Sequence, residues 1–360
     1  MQNNGYICTL IMQEIMERKA SSLIILTDRS ELEAVSSLTA WAREEVATLS
    51  QKYDKTGIFD PRPTERGLSR RLGLRWLTWR LAKQISAFMQ SEGFRPDDTL
   101  LYTPSLGPTT LAALRLAEKG GCAGVITRVS AADLLRPEAE RIAGQCVGRV
   151  AEMIADSDYT CRKIAELTGG ENGLRVSRPI AAEWTRGVLA ECHGKDEKRL
   201  TFVSAGSEAF AMTYGLLRQL AVARPGLEVK WVCFGAEPEG ATPASPTNLT
   251  IQWRQGEPAE IFGSEPVDWF VSVDNSRGLQ APVIEALSRG VPVVATMGGG
   301  IDEIIDDDNG LLLAEDSEPE EFVRGLLPYL DSEPRYRRLR TGARESLERI
   351  MEAVRPGQTI

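Results

Sequence analysis

Along the chain, short apolar runs alternate with stretches whose apolar positions recur every three or four residues. The runs at 21–28 (SSLIILTD), 99–104 (TLLYTP), 122–130 (CAGVITRVS), 152–158 (EMIADSD) and 174–179 (LRVSRP) predict strands. Helical periodicity fills 30–52, 64–92, 108–119 and 157–168 between them. Such alternation predicts βαβ units, a parallel sheet and helices on both of its faces. The pattern stalls over the charged stretch 181–199. It restarts with strands at 199–206 (RLTFVSAG), 228–235, 249–253, 267–273 and 291–296, and with a helix over 208–223. Two doubly wound, Rossmann-like domains joined near residue 185 follow from this, and in such sheets ligands sit beyond the carboxyl ends of the strands. The first residues, MQNNGYICTLIMQEIMERKA, read either as a helix before the first strand or as a short strand YICTLIM; both readings stay open.

Composition narrows the class. The 360 residues carry a net charge of -9, which argues against a general nucleic-acid binder. Six scattered cysteines without a CxxC spacing read as reduced thiols of a cytoplasmic chain, not as a disulfide framework or zinc site. No signal-peptide pattern and no apolar run near the ~20 residues of a bilayer span is present. The one histidine, His193, stands in the charged stretch AECHGKDEKR, so Ser–His–Asp and histidine–metal chemistries fit poorly. No essential metal or cofactor is expected.

The segment from Ser272 to Gly300 concentrates candidate chemistry. A strand leads to Gly278, a helix opens near Pro282 with Glu285 in its first turn, and a second strand ends in Gly298, Gly299 and Gly300. A helix N-terminus carries unpaired N–H groups and partial positive charge, which suits phosphate, and glycines let backbone approach a ligand closely. Pro near the first helical position and an early Glu are also ordinary helix-start chemistry. On the residues alone, a binding site and a plain helix start both remain open.

Residues 199–345 resemble the nucleotide-sugar-binding C-terminal domain of retaining glycosyltransferases of the GT-B fold, of the family 4 type. The resemblance rests on SRGLQAPVIEALSRGVPVVATMGGGIDEIIDDDNGLLL and the helical EPEEFVRGLLPYLDSEPRYRRL that follows. It implies two Rossmann-like domains facing across a cleft: 1–185 on the acceptor side, 186–335 binding the nucleotide sugar, and 336–360 as a helix returning to the N-terminal domain. It also implies that Glu285 holds the ribose hydroxyls, as two carboxylate oxygens suit vicinal hydroxyls. Gly278, Leu279 and Gln280 then form the turn facing the donor sugar and diphosphate, Gly299 and Gly300 the glycine turn beside it, and DNGLLL a hairpin.

The chain also departs from that pattern. Arg277 stands where the family has a sugar-side Glu, and Ser130, in RVSAAD, where it often has a His. VSAGSEAFAMTYG (203–215) lacks the Arg and Lys that neutralise the diphosphate. Two readings follow. In one, the chain is a glycosyltransferase that moves a hexose from a nucleotide-diphosphate sugar to a glycan, lipid-linked or protein acceptor, with the Arg277 guanidinium clamping the diphosphate. In the other, the fold survives as an inactive module or partner subunit.

A further feature is 66–89, RGLSRRLGLRWLTWRLAKQISAFM, where Leu68, Leu72, Arg75, Trp76, Trp79 and Lys83 fall on one helical stripe. A core-facing helix with a solvated basic face accounts for it. Peripheral contact with the inner membrane face is the other reading of a basic amphipathic helix.

Overall fold

The computed structural model describes residues 20–26, 51, 53–60, 66–170, 174–176, 198–206, 209–237, 245–256, 258–262, 264–273, 278 and 280–353. The described residues up to 176 fall in one compact unit and those of 198–353 in a second. The domain boundary expected near 185, the helix expected over most of 30–52 and the open question at the N-terminus lie outside the described residues.

The first unit is a six-stranded sheet of β1 (Ser22–Leu26), β2 (Lys55–Phe59), β3 (Thr99–Thr103), β4 (Gly124–Val129), β5 (Glu152–Ala155) and β6 (Leu174–Val176), ordered β2-β1-β3-β4-β5-β6. Every pairing is parallel. Its helices are α1 (Arg66–Ser91), α2 (Pro108–Glu118), α3 (Ala131–Leu134), α4 (Ala139–Cys146) and α5 (Asp158–Thr168). From β2 onward every crossover moves the same way across the sheet, so right-handed connections put α1, α2, α4 and α5 on one face. The core agrees. Ile24, Leu26 and Leu101 pack with Leu81, Ile85 and Met89 of α1 and with Ala112 and Ala113 of α2, whereas Leu23, Ile25, Leu100 and Tyr102 cluster on the other face.

In the second unit β7 (Arg199–Ala205), β8 (Glu228–Phe234), β9 (Leu249–Arg254), β10 (Trp269–Ser272), β11 (Val293–Thr296) and β12 (Gly310–Leu313) form another parallel sheet, ordered β12-β11-β10-β7-β8-β9. Counted from β7 this is the order 3-2-1-4-5-6 of a dinucleotide-binding sheet. Around it stand α6 (Phe210–Ala223), α7 (Ala259–Phe262), α8 (Ala281–Ser288), α9 (Pro319–Leu330) and α10 (Glu333–Ala353). Trp231 and Trp269 are fully buried, and the first stacks on Phe210 at 5.1 Å between centroids.

Of the stretch from 336, residues up to 353 belong to α10, which packs on α8 and α9. Two expectations change. DNGLLL is no hairpin: β12 runs parallel to β11, with Gly310 opposite Val293. And α1 is broken at Gly73, whose φ of 73° is left-handed. Beyond that break the buried positions are Thr78, Leu81, Ile85 and Met89, with Leu77 and Phe88 packed beside them, so Trp79 faces outward, 51% exposed. Lys83 Nζ lies 4.0 Å from the Trp79 ring centroid. The expected stripe is therefore not the buried face: Leu77 and Leu81, not part of it, turn inward, while Arg75, Trp79 and Lys83 stay outside. The Leu68 and Leu72 side chains lie outside the described ones. Among the described residues no helix is long and apolar enough to cross a membrane.

Candidate functional site

The second sheet has its switch point between β7 and β10. From β7 the chain proceeds toward β8 and β9, and from β10 toward β11 and β12, so the loops at their carboxyl ends diverge and leave a crevice there. Glycines of positive φ end the strands on this edge: Gly206 after β7 (φ 87°), Gly235 after β8 (φ 144°), Gly278 after β10 (φ 93°), and Gly298, Gly299 and Gly300 after β11 (φ 124°, 63° and 87°). L-residues with a Cβ rarely adopt such conformations, so the sequence reserves these turns for backbone without side chains. Gly278, Gly299 and Gly300 are buried, and Gly300 opens the single turn Ile301–Glu303.

α8 starts on the same edge. Gln280 is its extended N-cap (φ -91°, ψ 132°) and makes no side-chain capping bond. The helix begins at Ala281, with Pro282 next, which puts Glu285 at the fifth position, beyond the first turn where it was expected. A carboxylate gains from the helix dipole within that first turn, so helix-start chemistry does not explain it. Glu285 is 7% exposed. Its Cα–Cβ bond tilts toward the helix N-terminus and so toward the strand ends. A buried carboxylate has to be matched by donors, since desolvation without partners costs several kcal/mol. Ser288 Oγ donates to the Glu285 carbonyl at 2.6 Å and closes the turn below it. In β7, Ser204 Oγ accepts from Trp231 Nε1 at 2.9 Å, fixing the end of that strand to β8. Arg277 and Leu279 lie outside the described residues. Gly278, Gln280, Glu285, Gly299 and Gly300 all belong to this one edge.

The first unit's carboxyl edge is polar and tightly bonded. Thr103 Oγ1 donates to Thr127 Oγ1 at 2.7 Å, and Thr110 Oγ1 to the Ser105 carbonyl at 2.9 Å. Ser130 is the N-cap of α3. Its N–H and its hydroxyl donate to Asp133 Oδ2 at 2.9 and 3.2 Å, while its Oγ accepts from the Asp133 N–H at 3.4 Å. The hydroxyl offered as a stand-in for a catalytic histidine is thus engaged in a capping box. Asp133 also receives the Leu106 N–H at 3.3 Å and pairs with Arg136 at 3.3 Å, tying the loop after β3 to the loop after β4.

Sequence reasoning missed Asp156, which follows β5 on this edge and is 6% exposed. Burial pushes its carboxyl above the ordinary value, against the hydrogen bonds of Thr160 and Ser157 and the charge of Arg128. Ser157 Oγ lies 3.1 Å from its Oδ1. An acid at the end of strand EMIA was the available signal.

With the geometry in place, the class of fold is clear: two parallel α/β units of this kind make up the GT-B glycosyltransferases. Residues 253–332, which include β10, α8, β11 and the glycine turns after β10 and β11, match the family model for Glycosyl transferases group 1. Among solved structures the chain is similar to sucrose-phosphate synthase from Thermosynechococcus elongatus, with a TM-score of 0.64 at 11% identity over 93% of this chain and 96% of that one. It is also similar to Anabaena HepE in complex with UDP-glucose, with a TM-score of 0.60 at 13% identity over 92% and 99%. A glycosyltransferase from Rickettsia africae gives 0.58 at 12% identity over 94% and 98%. A search of curated proteins found no match.

Proposed function

We propose that the protein is a glycosyltransferase that takes a hexose from a nucleotide-diphosphate sugar and passes it to a hydroxyl acceptor with retention of configuration. The observation that carries this reading is Glu285, buried on α8 after β10, together with three successive positive-φ glycines after β11 of the second sheet. All of them lie within the segment that matches the glycosyl transferase family. Glu285 accepts from the ribose hydroxyls. The backbone of Gly278, Leu279 and Gln280 and of Gly299 and Gly300 faces the donor sugar and diphosphate. Arg277 supplies the cation that 203–215 lacks, its planar fork matching phosphate oxygens.

In the reaction the bond from the sugar C1 to the diphosphate oxygen breaks and the acceptor oxygen bonds to C1 on the same face. The acceptor proton passes to the leaving diphosphate. Such a step needs positioning and stabilisation of the departing charge more than a side-chain base, so the engagement of Ser130 in its capping box is compatible with it. Since HepE is known with UDP-glucose, UDP-hexoses are the first donors to try.

A second reading, an inactive partner or sugar-binding module, draws on the Arg277 substitution and on the lack of Arg or Lys over 203–215. A thermal-shift screen of nucleotide sugars followed by turnover of the donor that binds separates the two. Binding, with the sugar passed to an acceptor and the nucleoside diphosphate released, supports transfer, and binding without any turnover supports the module.

A further inference from the structure

α1, α2 and α4 share one face of the first unit, and α2 contacts both of the others. Where they meet, a depression of about 260 Å³ is lined by Leu74, Arg75, Leu111, Arg115, Arg141 and Gln145. Its apolar base is Leu74, the first residue after the Gly73 break, with Leu111, which is 3% exposed. Its rim is cationic. Arg115 Nη1 donates to the Arg75 carbonyl at 3.3 Å, and Gln145 Nε2 to the Arg141 carbonyl at 3.2 Å. These contacts occupy one guanidinium donor of Arg115 and leave the remaining donors of three arginines around one hollow.

None of these arginines has an ion-pair partner among the described residues. Other described cations, Arg80, Lys119 and Arg218 among them, also lack such a partner; what distinguishes Arg75, Arg115 and Arg141 is that they line one hollow in a chain of net charge -9. Glu118, the acid on the same helix as Arg115, is taken by Arg149. Three like charges converging without a counter-charge repel one another, and an anion between them relieves that repulsion. Guanidinium forks donate to phosphate oxygens in pairs, and a volume several times the ~30 Å³ of one water holds a phosphate and part of its attached group.

We propose that this depression binds a phosphate group, with Arg75, Arg115 and Arg141 as its ligands and Leu74 and Leu111 contacting what the phosphate is attached to. The proposal does not depend on the donor-site reading, because the hollow lies on the helical layer of the first unit and shares no residue with the edge of the second.

The test compares wild type, the double variant Arg115→Ala/Arg141→Ala, and Arg149→Ala, which removes a neighbouring charge outside the hollow. Glycerol 3-phosphate is titrated by calorimetry, and flotation with phosphatidylcholine vesicles is compared with and without phosphatidylglycerol. Any phosphate binding elsewhere is common to all three forms. Glycerol 3-phosphate binding by wild type and Arg149→Ala, weakened about tenfold or more in the double variant, supports a soluble phosphate ester, about 1.4 kcal/mol by conversion. Phosphatidylglycerol-dependent flotation lost only in the double variant supports a lipid phosphate. Equal behaviour of all three forms in both assays, including no binding by any, overturns the proposal. Matching circular dichroism and melting profiles of the three forms keep a folding defect from passing as lost binding.

Discussion

The hydroxyl of Tyr336 on α10 donates to Asp268 Oδ1 at 3.0 Å, and so joins the last described helix to the residue just before β10. The same carboxylate receives the Thr201 N–H at 2.8 Å, and Arg340 Nη1 reaches the Val267 carbonyl and the Tyr336 oxygen, each at 3.3 Å. Burial first, and the Asp268 charge next, raise the Tyr336 phenol far above its ordinary range, so it stays a donor at any working pH. Tyr336→Phe leaves a buried acceptor short of a partner and should lower stability by about 1–3 kcal/mol in urea unfolding. Because this network lies at the amino edge of the sheet, nucleotide affinity of the folded variant should not change.

Gly342 of α10 is expected to tolerate nothing larger. A Cβ there would stand 1.9 Å from the Asp308 carbonyl oxygen, against backbone that cannot yield like a flexible side chain. Alanine is worth about 1 kcal/mol over glycine inside a helix. Gly342→Ala should nonetheless destabilise by about 1–3 kcal/mol, the range for overpacking, read as a lower urea midpoint.

In the glycine turn after β11 the expected cost is conformational. Gly299 has φ 63° and Gly300 φ 87°. Gly299→Ala or Gly300→Ala should cost about 1–2 kcal/mol in stability, the penalty of a left-handed L-residue. Each should also weaken UDP binding, measured by calorimetry, because the strained turn moves off its ligand position. Alanine variants that keep full affinity would assign these glycines to folding alone.

Alkali should act through the buried thiols. Desolvation raises Cys122 and Cys233 to about 11 and Cys146 to about 12, from an ordinary value near 9. The unfolded chain ionises these groups first, so their stabilising contribution is complete below pH ~9 and is lost as pH rises toward 11–12. Unfolding free energy should therefore fall steeply above pH ~9, and Cys146→Ala should flatten that fall. A thiol reagent at neutral pH should leave all three unmodified in the folded chain.

How much of this was legible depended on whether a feature was local. RLTFVSA and EVKWVCF announce β7 and β8 because strands buried on both faces are apolar almost throughout. β2 hid because KTGIF is an edge strand with Ile58 57% exposed, and its Gly57 reads as a breaker. That glycine is needed: a Cβ would meet the Phe94 ring at 2.8 Å. Asn309-Gly310 looks like a hairpin turn, yet Asn309 instead closes its own loop, donating to the Ile304 carbonyl at 2.8 Å and accepting the Asp306 N–H at 2.9 Å. Gly310 is required for the close approach of β12, since a Cβ would stand 2.3 Å from the Val293 carbonyl oxygen. Glu285 and its glycines share one short segment, so their grouping was readable. The arginine hollow was not, because three helices supply it and each alone shows only an ordinary solvated cation.

The central claim is that the carboxyl edge of the second unit binds a nucleoside diphosphate through Glu285 and Arg277. Titration of UDP and GDP into wild type, Glu285→Gln and Arg277→Glu tests it most directly. Wild type should bind at least one diphosphate saturably. Glu285→Gln should weaken that binding about tenfold or more at unchanged melting temperature, as fits loss of a hydrogen bond to a charged group. Arg277→Glu should abolish it, through loss of the cation and added repulsion. Failure of the wild type to bind either diphosphate, or affinities in both variants equal to or tighter than wild type, would contradict it.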